Sequence, residues 1–198
     1  MTFIKSLLIA VLFLAPIARA ESPGAADLAI LQKPLSEKKM ALQKITDAKL
    51  KFYVLAAMAT DYASQSMTAA TAKDAKSYAE TLLEMAKGYE KDWNYGNAIH
   101  HGNLTLGRVA LFDGNVEAAK KYLMLATKTS GSPQLHSFGP NMTLAKELLE
   151  NGEKSAVLSY LDACLLFWKS PHAKEQVDSW RQSMAKGKTP DFGGNLGY

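Results

Sequence analysis

The 198-residue chain has one cysteine, no strand-like pattern and little excess of charge. A single cysteine, Cys164, cannot form an internal disulfide, so packing must stabilise the fold. It falls on an apolar stripe, which favours a buried thiol over a reactive or metal-binding one. Alternating apolar and polar runs are missing, and Ala, Leu, Lys and Glu dominate. The sequence therefore predicts an all-α fold.

Charge of one sign is not concentrated anywhere in the sequence. The chain has 23 Lys and Arg against 19 Asp and Glu, a formal net charge of +4, and two of the basic residues, Lys5 and Arg19, lie in the first 20. Lysines are scattered among acids, as on solvated helix faces. The basic isoelectric point therefore does not indicate a nucleic-acid partner.

Motifs of catalysis and of cofactor binding are also missing. The sequence has no Gly-x-Ser-x-Gly, no Gly-rich phosphate loop, and no His-x-x-x-His or Glu-x-x-His spacing. His100 and His101 are adjacent, so on a helix they point about 100° apart and are poorly placed to share a metal ion. We therefore predict no catalytic residue, metal or cofactor.

The first 20 residues have the three parts of a secretory signal peptide. A lysine at position 5 precedes an apolar run from Leu7 to Ile17, and Ala18-Arg19-Ala20 provides small residues around a cleavage point. The apolar run is shorter than the ~20 residues of a typical membrane span, although an uncleaved anchor is the alternative. We expect cleavage after Ala20 and a periplasmic or extracellular protein.

Helical periodicity and helix-ending residues divide the remainder of the chain. Apolar residues recur at helical spacing across 36–67 without Gly or Pro, and Thr71 with Asp74 resembles a capping box for a second helix. The predicted segments are a linker at 21–35, a helical-repeat domain at 36–187 with helix pairs at about 38–88, 97–128 and 141–169 and a final helix at 171–187, and a disordered tail at 188–198.

One pattern occurs twice, at an interval of 38 residues. Each copy is typical of two short helices joined by a turn at a glycine, and periods of this size mark helical arrays. The corresponding residues are Leu106 and Leu144, Gly107 and Ala145, Gly114 and Gly152, Leu123 and Leu161, and Ala126 and Cys164.

Residues 97–168 resemble tetratricopeptide repeats. The resemblance depends on Leu106, Gly107, Ala119, Leu123, Ala126 and Pro133. The sequence departs from the family at Asn103, where the family has Trp, and at Ala110, where it has Tyr. The resemblance implies antiparallel helix pairs stacked as a short right-handed solenoid, whose concave groove binds a protein or a peptide.

Four residues are candidates for contacts in that groove. Arg108 and Lys146 are 38 residues apart and so occupy equivalent places, with His101 and Thr105 near Arg108 on the same helix. Two cations in one groove would suit an acidic peptide, since Arg can hold a carboxylate through two hydrogen bonds. The alternative is that both cations are ordinary solvent-facing residues.

A second class of function remains open. Tyr89, Trp93 and Tyr95, beside Asn94 and Asn97, form the densest aromatic patch in the sequence. They could line a pocket in a small-molecule binder or a hydrolytic enzyme, with His100, His101 or His136 as polar groups, or they could pack between helices.

Overall fold

The computed structural model describes residues 23–197, and all regular structure in that range is helical. The all-α prediction is confirmed. The predicted signal peptide lies outside the described residues. The helices are α1 (Ala25–Leu28), α2 (Leu35–Leu42), α3 (Ala48–Ser64), α4 (Ala69–Ala86), α5 (Tyr95–Phe112), α6 (Val116–Leu125), α7 (Pro133–Phe138), α8 (Thr143–Glu150), α9 (Lys154–Cys164) and α10 (Ala173–Ala185), with 3₁₀ turns at Ala29–Gln32 and Gly193–Leu196.

Local sequence signals set many of the helix ends. The side chains of Asp47 and Asn115 accept hydrogen bonds from the backbone N–H groups three residues later, at 2.6 and 3.0 Å, and so cap α3 and α6. Gly114 and Gly152 have φ of 79° and 86° in the turns before α6 and α9. Glycine adopts this left-handed conformation without steric cost. Asn115 directly follows the glycine turn, so the turn and the cap of α6 come from adjacent residues.

Helix α5 lies at the centre of the fold, where it contacts α3, α4, α6, α7 and α8. Glycines on α5 allow this close packing. A Cβ atom on Gly96 would lie 1.9 Å from the Gly131 carbonyl oxygen, and one on Gly107 would lie 2.3 Å from Leu144 Cδ2. At the glycine of the Leu-Gly pair, a Cβ atom would therefore force the Leu144 side chain to move in the contact between α5 and α8.

The core of the C-terminal half contains large aromatic side chains. Trp180 packs against Trp168 and Phe192, with ring centroids 5.9 and 5.1 Å apart. Cys164 lies in the same cluster and is fully buried. Burial raises the pKa of its thiol well above the usual value. The expectation of a buried thiol is confirmed. Because its pKa is raised, the reactive thiolate form is strongly disfavoured.

The N-terminal region contains more helix breaks than the periodicity indicates. Residues 36–67 form two helices rather than one, because the chain turns at 43–47 and Asp47 begins a new helix. The next cap is Thr68 rather than Thr71: the Thr68 hydroxyl accepts from the Thr71 N–H at 3.2 Å. The expected linker at 21–35 includes α1 and a 3₁₀ turn, whose Leu28 and Leu31 pack against the core.

The tail is packed rather than disordered up to residue 197. Phe192 is buried, and the Trp180 indole N–H donates to the Asp191 carbonyl at 3.0 Å. The Asn195 side chain donates to the carbonyls of Phe138 and Pro140 at 3.0 and 2.9 Å. One aromatic anchor and one amide thus hold a glycine-rich segment against the α7–α8 connection.

Candidate functional site

Arg108 is almost fully buried between helices, at the base of a smaller open pocket of about 400 Å³ that Phe112 and Glu147 also line. Its guanidinium donates to both carboxylate oxygens of Glu147 on α8 at 2.5–3.0 Å. It also donates to the carbonyls of Tyr62 and Gln65 at 2.9 and 2.6 Å. These carbonyls lie at the end of α3, where helix carbonyls lack partners within the helix. Arg108 therefore joins α5, α3 and α8.

The other predicted groove residues separate into different environments. Lys146 is on the surface and pairs with Glu150, four residues later, at 2.5 Å. Thr105 is buried and donates its hydroxyl hydrogen to the Ala59 carbonyl at 3.0 Å. His101 lies one turn before Thr105 and lines a cleft. Arg108 and Lys146 therefore do not face a common groove. Helix α3 covers the face of α5 at Arg108, whereas Lys146 is on the surface of α8.

A cleft with a volume of about 600 Å³ lies between α3 and the first half of α5. This volume is in the usual range for ligand sites. We call it the α3–α5 cleft. Its lining residues are Leu31, Gln32, Lys33, Lys38, Tyr53, Ala56, Ala57, Thr60, Asp61, Trp93, Asn94, Asn97, His101, Gln134, Phe138 and Gly197.

Two exposed aromatic residues line the cleft. Trp93 is 46% exposed and Phe138 is 62% exposed. The Trp93 indole N–H donates to the Tyr53 hydroxyl at 3.1 Å, and that hydroxyl donates to Asp92 at 2.9 Å. Burial and the Asp92 carboxylate together raise the pKa of Tyr53 to about 12. The indole is therefore held by a neutral phenol and offers apolar surface in a fixed orientation.

The other two members of the sequence-predicted aromatic patch have packing roles. Tyr89 stacks on Phe52, with ring centroids 4.3 Å apart and planes 4° from parallel. Tyr95 is partly buried against the same core cluster. His136 lies on α7, where its Nε2 contacts the Ser130 carbonyl at 2.9 Å. Of the three aromatic candidates, Trp93 is the one that lines the cleft.

Side-chain amides form a connected network at the cleft. The Ser132 hydroxyl caps α7 and donates to Asn97 Oδ1 at 2.6 Å. The Asn97 amide nitrogen donates to Asn94 Oδ1 at 2.8 Å and to Gln134 Oε1 at 3.1 Å. Both outer amides thus use their oxygens within the network. Within residues 23–197, their NH₂ groups have no hydrogen-bond partner.

The two adjacent histidines are both buried, but they differ in their partners. His100 Nδ1 contacts the Ala126 carbonyl at 3.0 Å, and its Nε2 accepts from the Asn141 N–H at 3.0 Å. Burial lowers the pKa of His100 to about 4. Burial, and secondarily the neighbouring His100, lowers the pKa of His101 well below its usual value. His101 Nδ1 is buried without a hydrogen-bond partner in the described structure.

An ion pair lies on the opposite wall of the cleft. Lys38 on α2 and Asp61 on α3 are joined at 2.8 Å between Nζ and Oδ2. The Lys38 side chain is almost fully buried, whereas a third of the Asp61 side chain is exposed. The pair neutralises two of the three charged side chains that line the cleft, and Lys33 is the third.

The described residues contain neither a metal-ligand cluster nor a membrane-spanning helix. Between residues 23 and 197, no three or more His, Cys, Asp or Glu side chains are grouped as metal ligands would be. No helix in this range is both long and apolar enough to cross a membrane. Comparisons with protein-family models, with curated proteins and with solved structures found no match.

Sequence reasoning identified only part of the cleft. Trp93, Asn94 and Asn97 are visible in the sequence as a local cluster, and His101, predicted for a different groove, lines this cleft. Lys38, Asp61, Gln134 and Phe138 were missed. They come from three distant segments, and no local pattern relates them. The sequence signal for Phe138 is its place directly before Gly139 and Pro140, which end α7 there.

Proposed function

We propose that this protein is a binding module whose α3–α5 cleft holds an extended segment of a protein or peptide. The main support is the combination of two exposed aromatic side chains, Trp93 and Phe138, with unpaired amide donors in one open cleft. Aromatic anchors supply much of the energy at protein interfaces, and hydrogen-bonding groups fix the orientation of the bound chain.

We propose a tetratricopeptide-like arrangement as the scaffold of this cleft. Helices α5 and α6, and α8 and α9, are consecutive packed pairs joined by turns at Gly114 and Gly152. The equivalent residues Ala126 and Cys164 are both fully buried. In such an array the first helix of each pair lines the concave face, which agrees with the contributions of α3 and α5 to the cleft.

Export is part of the same proposal and depends on residues 1–20. The lysine-bearing start, the apolar run and the small residues before Glu21 support it. A mature protein whose N-terminus is Glu21 is the expected result of N-terminal sequencing after secretion. An intact Met1 on the exported protein would contradict cleavage.

Catalysis receives less support than binding. A hydrolase of the nucleophile-and-base type needs a histidine hydrogen-bonded to a Ser, Cys or Thr, with a third group that orients it. Over the described residues, both ring nitrogens of His100 contact backbone groups, and His101 Nδ1 has no partner. A small-molecule ligand in the same cleft is the second candidate, favoured by its volume and by the unpartnered His101.

Removal of the aromatic anchors tests the proposed function. We expect peptides selected from a random-sequence display library on the wild-type protein to bind the Trp93→Ala, Phe138→Ala double variant at least about thirtyfold more weakly, since each anchor is worth about 1 kcal/mol or more. Fluorescence anisotropy measures the affinity, and circular dichroism checks the helix content.

Phe112→Ala provides the matched control. Phe112 is 47% exposed, which is close to Trp93, but it lies at the end of α5 and outside the cleft. Its replacement should leave peptide affinity unchanged within about twofold. Equal losses in the control and in the double variant, or the selection of no peptide by the wild type, would count against the cleft as a binding surface.

A further inference from the structure

The direction of the amide network determines which atoms the cleft offers to a ligand. Ser132 Oγ accepts from the Leu135 N–H at 3.0 Å, so its hydroxyl hydrogen is available to Asn97 Oδ1. The Asn97 oxygen is thereby an acceptor, and its NH₂ group donates outward to Asn94 and Gln134. The network begins at a helix cap and ends at two NH₂ groups.

The ends of this network are hydrogen-bond donors. The amide oxygens of Asn94 and Gln134 each accept from Asn97, so the part of each amide that makes no hydrogen bond in the described structure is the NH₂ group. An amide NH₂ carries two N–H donors and no acceptor. A ligand with acceptor oxygens is therefore favoured at this end of the cleft, whereas a ligand with donors would leave these N–H groups without partners.

A third polar group, buried beside the cleft, also lacks a partner. Only 3% of His101 is exposed, and its ring nitrogen Nδ1 has no hydrogen bond within the described residues. It lies one helical turn after Asn97 on the same face of α5. A buried ring nitrogen without a partner is destabilising unless a bound group or water satisfies it. His101 thus extends the polar strip along α5.

The charges near this strip are few and mostly paired. Lys38 and Asp61 neutralise each other at 2.8 Å, and Lys33, directly after the first 3₁₀ turn, is exposed. Neutral donors beside a neutralised ion pair suit neutral acceptors better than a strongly charged group. Carbonyl oxygens of a peptide backbone are such acceptors, and they recur at regular intervals along an extended chain.

We propose, on the basis of the proposed function, that the cleft recognises the main-chain carbonyl oxygens of an extended peptide through the Asn94 and Gln134 NH₂ groups, with an apolar side chain against Trp93 and Phe138. Sequence selectivity then comes from the apolar anchor. The hydrogen bonds fix the direction of the peptide rather than its sequence.

A nearly isosteric substitution tests the direction of the hydrogen bonds. Gln134→Glu keeps an oxygen that can accept from Asn97 but replaces both N–H donors by a carboxylate oxygen. We expect it to weaken the peptides selected on the wild type by at least about tenfold, because carbonyl oxygens would then face an acceptor. Gln176→Glu on α10 is the matched control: it adds the same charge to an exposed glutamine, and affinity should stay within about twofold.

Salt dependence distinguishes a neutral occupant from an acidic one. We expect the affinity to change by less than about threefold when NaCl rises from about 50 to about 500 mM. A loss of more than about tenfold, together with selection of acidic peptides, would overturn the proposal of neutral carbonyls. A peptide with an amidated C-terminus should bind as well as one with a free carboxylate.

The failures of the two proposals can be told apart. If Gln134→Glu binds like the wild type while the Trp93→Ala, Phe138→Ala variant loses binding, the carbonyl inference is wrong and the binding cleft stands. If the wild type selects no peptide, the proposed function fails, and the inference fails with it. Loss of binding in both Gln134→Glu and the Trp93→Ala, Phe138→Ala variant, with unchanged circular dichroism and with both control variants unaffected, supports both proposals.

Discussion

Replacement of Arg108 by methionine is expected to lower the free energy of unfolding by about 3 kcal/mol. The substitution keeps an unbranched apolar stem but removes every hydrogen bond to Glu147, Tyr62 and Gln65. Two carbonyls at the end of α3 and one partly buried carboxylate are then left without these donors. For a domain of this size, thermal unfolding should shift down by about 6–12 °C.

A second arginine on the protein supplies the control. Arg181 on α10 pairs with Asp162, which is well exposed, and with Asp178, which is partly exposed. Arg181→Met should therefore change the free energy of unfolding by less than about 1 kcal/mol. Arg108→Lys should give an intermediate loss, because an ammonium group cannot span the carboxylate and both carbonyls. Similar melting temperatures for Arg108→Met and Arg181→Met would refute the structural role of Arg108.

Stability should fall by about 3 kcal/mol between pH 6.5 and pH 4 through His100 alone. Burial lowers the pKa of His100 from 6.5 to about 4 in the folded protein. Between these values the unfolded chain binds a proton that the folded protein does not, so acid favours unfolding by about 1.4 kcal/mol per pH unit. Below about pH 4 both states are protonated, and the His100 contribution stays constant.

Urea unfolding of the wild type and of His100→Gln across this pH range isolates the effect. Glutamine has a donor and an acceptor but does not titrate in this range. The variant should be less stable at pH 7 and should have a flatter pH dependence, whereas carboxylates contribute equally to both proteins. His101 adds loss of the same sign, because burial also lowers its pKa. Parallel pH profiles would show that His100 is not buried as a neutral ring.

The parts of the fold that sequence reasoning predicted correctly depend on neighbours in the chain. Gly114 and Asn115 form a turn and a helix cap from adjacent residues, so a short window of sequence contains the whole interaction. Asp47 had the same kind of signal, but helical periodicity continued across it and masked the break before α3. The tail was misjudged because its glycine content outweighed one buried aromatic residue, Phe192.

The candidate site shows where local patterns stop being informative. Helical spacing places His101, Thr105 and Arg108 on one face of α5, and this is correct. It does not specify what covers that face. Helix α3 covers Arg108 through carbonyls more than 40 residues away in sequence, whereas His101 remains beside the cleft. The 38-residue spacing predicts equivalent places for Arg108 and Lys146. Arg108 is buried and Lys146 is on the surface, so the two cations have different partners.

The most direct test of the account is the location of a bound peptide on the protein. In ¹⁵N–¹H correlation spectra, a peptide selected on the wild type should shift the Trp93 indole N–H signal, the NH₂ signals of Asn94 and Gln134, and the backbone signals around His101. Signals around Lys146 should stay in place. Shifts confined to the surface around Lys146 and Glu150, with the Trp93 indole unchanged, would contradict the assignment of the α3–α5 cleft.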